Sequence, residues 1–106
     1  MIYDPQKALF VSFASARTQF ADGRDSPRAF LERCIERIET EEPTIRAFVE
    51  LDLTNARAAA DAATHRWRSG TPLSRLDGLP VGIKDCFDVK GYPTRVNSAL
   101  FTDNLA

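Results

Sequence analysis

The spacing of apolar residues predicts that most of the chain before Gly70 is helical. A first helix is predicted from Asp4-Pro5, an N-cap followed by proline at the first helical position, to Gly23, which suits a left-handed C-terminal cap. A second is predicted to begin at Ser26-Pro27 and to end before Pro43, because proline cannot continue the hydrogen bonds of a helix. Both helices carry apolar residues on one face, as expected of surface helices that cover a core.

A third helix is predicted to start near Asp52 or Thr54 and to stop at Gly70. Its apolar face is rich in small residues, which indicates close approach to a neighbouring element; the face consists of Ala56, Ala59, Ala60, Ala63 and Trp67. Cys34 lies on the apolar face of the second helix and is interpreted as a core thiol rather than a nucleophile.

Two short apolar runs have the pattern of strands. Ala47-Phe48-Val49 is one, and Leu79-Pro80-Val81-Gly82-Ile83 is the other. In the second run Gly82 and Lys84 share a face, and a position without a side chain lets backbone or ligand come close to the lysine. Burial there would disfavour the ammonium form and make Lys84 a base near neutral pH. The pattern alone leaves open that Lys84 is a solvated lysine at a strand end.

The start of the chain allows two interpretations. Residues 7–16 combine a lysine, an apolar run and small residues, as a short signal peptide does. Asp4 and Pro5 precede the run, however, and Leu9, Phe13 and Phe20 fall on one helical stripe, which favours a packed amphipathic helix. No apolar stretch approaches the roughly 20 residues of a membrane span.

Composition narrows the functional classes. The net charge of -1 gives no electrostatic footprint for nucleic acid or an anionic membrane. Two distant cysteines outside metal-ligand spacing predict no zinc site and favour a reducing, cytoplasmic location. His65, the single histidine, stands among polar residues and is interpreted as a solvated side chain. Glycine-rich nucleotide-binding motifs are absent, so neither a cofactor nor a metal is expected.

One continuous string carries most of the functional signal. Residues 76–85 read Leu-Asp-Gly-Leu-Pro-Val-Gly-Ile-Lys-Asp, followed by Asp-Val-Lys-Gly-Tyr-Pro-Thr at residues 88–94 and by Ser98. This string closely resembles the segment around the catalytic lysine of the amidase signature family. The order of helix, strand and alanine-rich helix upstream is similar to the amino-terminal region of that family. The resemblance therefore covers nearly the whole chain and is most specific at residues 76–98.

The resemblance implies an α/β fold, in which three helices and short strands form the amino-terminal part of a domain built on a large mixed sheet. It also implies that Lys84 accepts a proton through a bridging serine that follows a cis peptide bond. That serine would activate a second, nucleophilic serine toward the carbonyl carbon of an amide. Backbone amides near the nucleophile would stabilise the oxyanion.

The chain departs from the family pattern in one respect that concerns the mechanism. Both catalytic serines of the family lie in a stretch rich in glycine and serine, downstream of the lysine, and residues 85–106 contain no such stretch. Ser98 is interpreted as structural or as supporting the site, and Asp85 either orients Lys84 or is a plain carboxylate at a strand end. We therefore expect residues 1–106 to be the amino-terminal portion of one amidase domain, inactive alone.

Two functions from different classes remain open. The first is an amidohydrolase that cleaves a carboxamide C–N bond, to which this chain supplies Lys84; its partners would be a small amide substrate and the carboxy-terminal part of the domain, with a homo-oligomer left open. The second is a non-catalytic interaction or assembly module of the same shape. Exposure of Val81, Ile83, Phe87 and the alanine face would favour the first, since these residues would be covered in a larger domain.

Overall fold

The computed structural model describes residues 12–94, and in this range the chain forms three α-helices. Helix α1 spans Phe13–Asp22, α2 spans Pro27–Ile45 and α3 spans Leu53–Arg68. The predicted start of the first helix at Asp4-Pro5 and the position of Ser98 lie outside the described residues.

Most helix boundaries that can be compared are where the cap residues predict them. Gly23 ends α1 in the left-handed conformation, with φ of 82°. The side chains of Ser26 and Asp52 accept hydrogen bonds from the third residue of α2 and α3, at 3.1 Å in both cases. Gly70, at φ of 71°, follows the last turn of α3. The predictions for these helix ends are confirmed.

The predicted end of α2 before Pro43 is wrong. The helix continues through Pro43 to Ile45 and stops at Arg46, which adopts a left-handed conformation with φ of 53° and donates its amide hydrogen to the Glu42 carbonyl at 2.8 Å. Proline removes the amide donor that would bond the carbonyl of Glu39. Because Glu39 is exposed, water can take the place of that donor, and the last turn tolerates the proline.

Helices α2 and α3 form the core of the described chain. Leu31 and Ile35 of α2 pack against Ala60 of α3, with Leu53 and Ala56 at the edge of the contact. Small side chains on α3 let the two helices approach closely, as the alanine-rich pattern predicts. The backbone amide of Arg28, in the first turn of α2, is satisfied by the hydroxyl of Thr64 on α3 at 3.0 Å.

Helix α1 joins this pair through aromatic rings. Phe20 of α1 makes edge-to-face contacts with Phe30 of α2 and Trp67 of α3, with ring centroids 6.0 and 5.9 Å apart. Ala16 and Phe20 are buried on the same face of α1. Residues 13–20 therefore behave as a packed amphipathic helix, in agreement with the interpretation favoured over a signal peptide; residues 7–11 lie outside the described range.

The two predicted strands are absent from residues 12–94. Residues 47–49 and 79–83 are extended or bent but belong to no strand. A strand forms only when a neighbouring backbone supplies its hydrogen bonds, so an apolar alternation specifies a buried face without supplying the partner. The three observed helices agree with the helical part of the predicted α/β fold, and the sheet stays a prediction. None of the described helices has the length and apolar character needed to cross a bilayer.

Candidate functional site

The string around Lys84 forms a long connection across the α2–α3 pair. We refer to residues 78–92 as the lysine segment. It begins beside the carboxyl end of α3 and returns to its amino end, and Lys84 lies near its middle. Since α3 has 16 residues, the segment spans a rigid element about 24 Å long.

Asp77 anchors the start of the lysine segment. Its side chain is 5% exposed and accepts two hydrogen bonds from the guanidinium of Arg66, both at 2.7 Å, as well as the amide hydrogen of Leu73 at 3.0 Å. The carbonyl of Asp77 accepts the indole hydrogen of Trp67 at 2.9 Å. The hydrogen bonds from Arg66 hold the pKa of the Asp77 carboxyl below its usual value, although burial works in the opposite direction. Residue 77 is thus fixed to the last turns of α3.

Gly78 extends this anchor onto α2. It adopts φ of 89°, a left-handed conformation, and a β-carbon at this position would lie 2.7 Å from Cβ of Pro27. The same carbon would lie 3.4 Å from Cβ of Ala63 on α3. Only glycine therefore fits both the backbone conformation and the space between the two helices.

Tyr92 anchors the other end of the segment. Its hydroxyl donates a hydrogen bond to the carboxylate of Asp52 at 2.9 Å. Asp52 is also the N-cap of α3, so one carboxylate closes the helix and holds the segment. The hydrogen bond from the Asn55 backbone, followed by the one from Tyr92, lowers the pKa of Asp52, and the bond to Asp52 raises the pKa of Tyr92. Both ends of the lysine segment are therefore attached to α3.

The middle of the lysine segment borders an open groove of about 970 Å³. Helices α2 and α3 form one side of this groove, and residues 47–53 and 77–93 supply much of the remainder. Lys84 and Asp85 both line it, Lys84 as an exposed side chain and Asp85 as a half-buried one. Gly82 lies in the same groove, and a β-carbon there would meet its nearest neighbour, Cε1 of Phe48, only at an ordinary 3.9 Å. Neither the burial expected of Lys84 nor the close approach expected at Gly82 occurs within residues 12–94.

Large apolar side chains along the groove are uncovered. Val81, Ile83 and Phe87 are 71%, 55% and 63% exposed, as the amidase-domain hypothesis predicts. The alanine face behaves differently, because Ala60 and Ala63 are buried while Ala59 is exposed. The expectation that this whole face would be uncovered is wrong, since α2 and Gly78 pack on part of it.

The other residues whose side chains could take part in chemistry are either packed within the structure or exposed to solvent. Cys34 is half-buried, and burial raises the pKa of its thiol, so the prediction of a non-nucleophilic core cysteine agrees with its environment. His65 is exposed, as predicted. Within residues 12–94 there is no cluster of three or more histidine, cysteine or carboxylate side chains able to hold a metal ion.

Lys84, Asp85 and Gly82 can be identified from the sequence, but the residues that hold their segment in place cannot. Arg66, Asp77 and Tyr92 are separated along the chain from the groups they bind, so no local spacing reveals the contacts. One signal was available: Asp77 stands two residues before the apolar run of residues 79–83, and a carboxylate buried beside such a run requires a cationic partner.

The comparisons with known proteins agree with the resemblance of the lysine string. A family model described as Amidase matches residues 29–106. The chain is 42% identical over 91 residues to the A subunit of the glutamyl-tRNA(Gln) amidotransferase of Chloroflexus aggregans, covering 86% of this chain and 19% of that protein. The proteins of the same name from Myxococcus xanthus and Synechococcus sp. strain WH7803 are 38% and 37% identical over 82 and 90 residues, covering 77% and 85% of this chain.

These relatives are much longer than the chain. The matched stretches make up 17% of the Myxococcus xanthus protein and 18% of the Synechococcus protein, so the chain spans about a fifth of the length of the curated relatives it matches. No solved structure matches the chain significantly.

Proposed function

Since the chain belongs to the Amidase family, we propose that it is the lysine-bearing part of an amidohydrolase that cleaves a carboxamide C–N bond, with Lys84 as the catalytic base. The observation that carries the proposal is the position of Lys84 on a segment that is attached to both ends of α3 and open to a groove in between. A base must be held in place and must also face the space where substrate and nucleophile meet.

The proposed chemistry is acyl transfer through a serine. The unprotonated amine of Lys84 takes a proton through a bridging serine, and the nucleophilic serine attacks the amide carbonyl to give a tetrahedral intermediate. Collapse of the intermediate breaks the C–N bond and releases the amine with a proton, and water then hydrolyses the acyl-serine. Both serines, one of them following a cis peptide bond, belong to the part of the domain that this chain does not supply.

Asp85 and Gly82 have supporting roles in this proposal. Asp85 is the half-buried neighbour of the lysine and lines the same groove, so it can orient or balance the charge of the amine. Gly82 leaves the face beside Lys84 free of side-chain atoms, which gives room for the remainder of the site. Ser98 keeps its interpretation as a residue that is structural or supports the site.

The names of the relatives suggest a more specific form of the reaction. The matched proteins are glutamyl-tRNA(Gln) amidotransferase A subunits, so we propose that the amide nitrogen freed at this site is passed on in an amidotransferase of that type. Assembly with other subunits is part of that proposal, and a cytoplasmic location and a homo-oligomeric state stay predictions. The exposure of Val81, Ile83 and Phe87 favours the hypothesis that the chain is part of a larger domain over the hypothesis of a stand-alone, non-catalytic module.

The test uses a chimera in which this chain replaces the matched stretch of the Chloroflexus aggregans protein, purified with the remaining subunits of that enzyme. Ammonia release is measured from glutamine and from a panel of simple carboxamides. We expect Lys84→Met to lower turnover by about 1,000-fold or more, because the members of a catalytic unit fail together. Lys90→Met is the matched control, since Lys90 is an exposed lysine of the same segment. Unaltered turnover in Lys84→Met would exclude the base assignment.

A further inference from the structure

The anchor at Asp77 differs from the other ion pairs among residues 12–94 in what it connects. The Arg28–Asp61 and Arg57–Glu32 pairs join α2 to α3 at the surface of the helix pair. The pair of Arg66 with Asp77 instead joins α3 to the first residue before the lysine segment. Its carboxylate is also the more buried, at 5% exposure against 41% for Glu32.

The contacts at Asp77 fix the orientation of the chain as well as its distance from α3. Two parallel hydrogen bonds of 2.7 Å from one guanidinium fix the plane of the Asp77 carboxylate. The Leu73 amide donates a further hydrogen bond to Oδ2 of this carboxylate, and the Trp67 indole donates one to the Asp77 carbonyl. Gly78 follows directly and is wedged against Pro27. The direction in which the chain leaves α3 toward Lys84 is therefore set by these contacts.

The helical core does not need this anchor. Leu31, Ile35 and Ala60 pack against one another without Asp77 or Arg66, and Thr64 joins α3 to α2 independently. Loss of the ion pair should therefore leave the helices in place while it frees the start of the lysine segment.

We propose that Arg66 and Asp77 are positioning residues for Lys84. The ion pair places the amino end of the lysine segment on α3 and so sets where the lysine amine meets the reacting groups. The inference rests on the proposed function, because it assigns the pair a role in the amidase reaction. A displacement of about 1 Å at a catalytic group can lower the rate by about 100-fold, which is the scale of effect that the loss of such an anchor can produce.

The experiment compares Asp77→Asn and Arg66→Met with the conservative Arg66→Lys in the chimeric enzyme described above. We expect kcat to fall by about 10-fold to 100-fold in the first two variants, with KM within about two-fold of the parent, because binding contacts elsewhere are retained. The acid limb of the pH–rate profile should also move, since that limb reports the base in its site. Arg66→Lys keeps the charge but loses the fork geometry, and it should recover part of kcat.

The matched control is Asp25→Asn. Asp25 is also a largely buried carboxylate, at 10% exposure, and it accepts two hydrogen bonds from one guanidinium, that of Arg33, and one from a backbone amide. It lies at the turn between α1 and α2, outside the lysine segment. We expect Asp25→Asn to lower the amount of folded enzyme without changing kcat per folded molecule or the acid limb.

The outcomes separate the two proposals. If Asp77→Asn has the kcat and pH profile of the parent once the rates are corrected for folded enzyme, or if Asp25→Asn reproduces its effects, the positioning role is overturned. If the parent chimera is inactive, or Lys84→Met retains its turnover, the proposed function fails instead. If Asp77→Asn loses too much folded enzyme for kinetics, Arg66→Lys decides: parental kcat and an unmoved acid limb overturn the positioning role.

Discussion

The α2–α3 pair and the lysine segment contain similar apolar side chains in opposite environments. Ile35 in α2 is 3% exposed, whereas Ile83, next to Lys84, is 55% exposed. The partners of Ile35 are present on α3, while the large apolar side chains of the lysine segment are exposed between anchors at Asp77 and Tyr92. The helix pair finds its packing partners within residues 12–94, whereas the element that carries the proposed catalytic group is held at its ends and exposed between them. This is the arrangement expected of a site whose other half is contributed by further polypeptide.

The largest loss of stability should come from removing side-chain volume in the core between α2 and α3. Ile35→Ala is expected to lower the free energy of unfolding by about 3 kcal/mol, because it leaves a cavity in the helical core. Ile83→Ala is the matched change in the lysine segment and should alter it by less than about 0.5 kcal/mol, since the side chain is already in water. Urea unfolding followed by circular dichroism measures both in the isolated chain. Equal effects would show that the two regions do not differ as described.

A smaller difference in stability is expected between substitutions at Gly78, which packs against α2, and at Gly91, which has open space around it. Gly78→Ala combines an unfavourable backbone conformation with the clash against Pro27, and we expect a loss of about 2 to 3 kcal/mol. Gly91→Ala has a similar φ of 85° but open space around its β-carbon, and it should cost only about 1 kcal/mol. The same urea experiment compares them. A cost for Gly91→Ala as large as that for Gly78→Ala would contradict the docking of residue 78 on α2.

The smallest of these effects is the pH dependence of the Asp77 anchor. Because the pKa of Asp77 is lowered in the folded chain, its carboxylate stabilises the fold above the unfolded pKa of about 3.9, and this contribution is lost as the pH falls through the folded value. At pH 7 we expect Asp77→Asn to cost about 2 kcal/mol, and the difference from the parent should shrink below about pH 4. A difference that stays constant from pH 7 to pH 3 would exclude the ion pair as its cause.

The success of sequence reasoning follows the same division between the two regions. Gly23 ends α1 through its own backbone conformation, and Ser26 and Asp52 begin their helices through bonds to residues three positions away, so their roles could be predicted. Pro43 does not end α2 as predicted, because a proline near an exposed helix end removes only one hydrogen bond, which water can replace.

The candidate site could be predicted only in part. Lys84 was identified through the resemblance of residues 76–98 to a family segment, and composition or periodicity alone would not have distinguished it from a solvated lysine. The contacts of Arg66 with Asp77 and of Asp52 with Tyr92 depend on the path of the chain across α3, which the local pattern does not encode. The strand predicted at residues 79–83 would need a neighbouring backbone that residues 12–94 do not supply.

Hydrogen exchange at the amides of residues 81–84 tests most directly whether the lysine segment is anchored at its ends and completed by the rest of an amidase domain. The isolated chain and the chimeric enzyme are compared under the same conditions, with the amide of Ala60 in the α3 core as the internal reference. We expect fast exchange in the isolated chain and at least about 100-fold slower exchange in the chimera, where the segment gains strand partners. Exchange that is equally fast in both proteins would contradict this account.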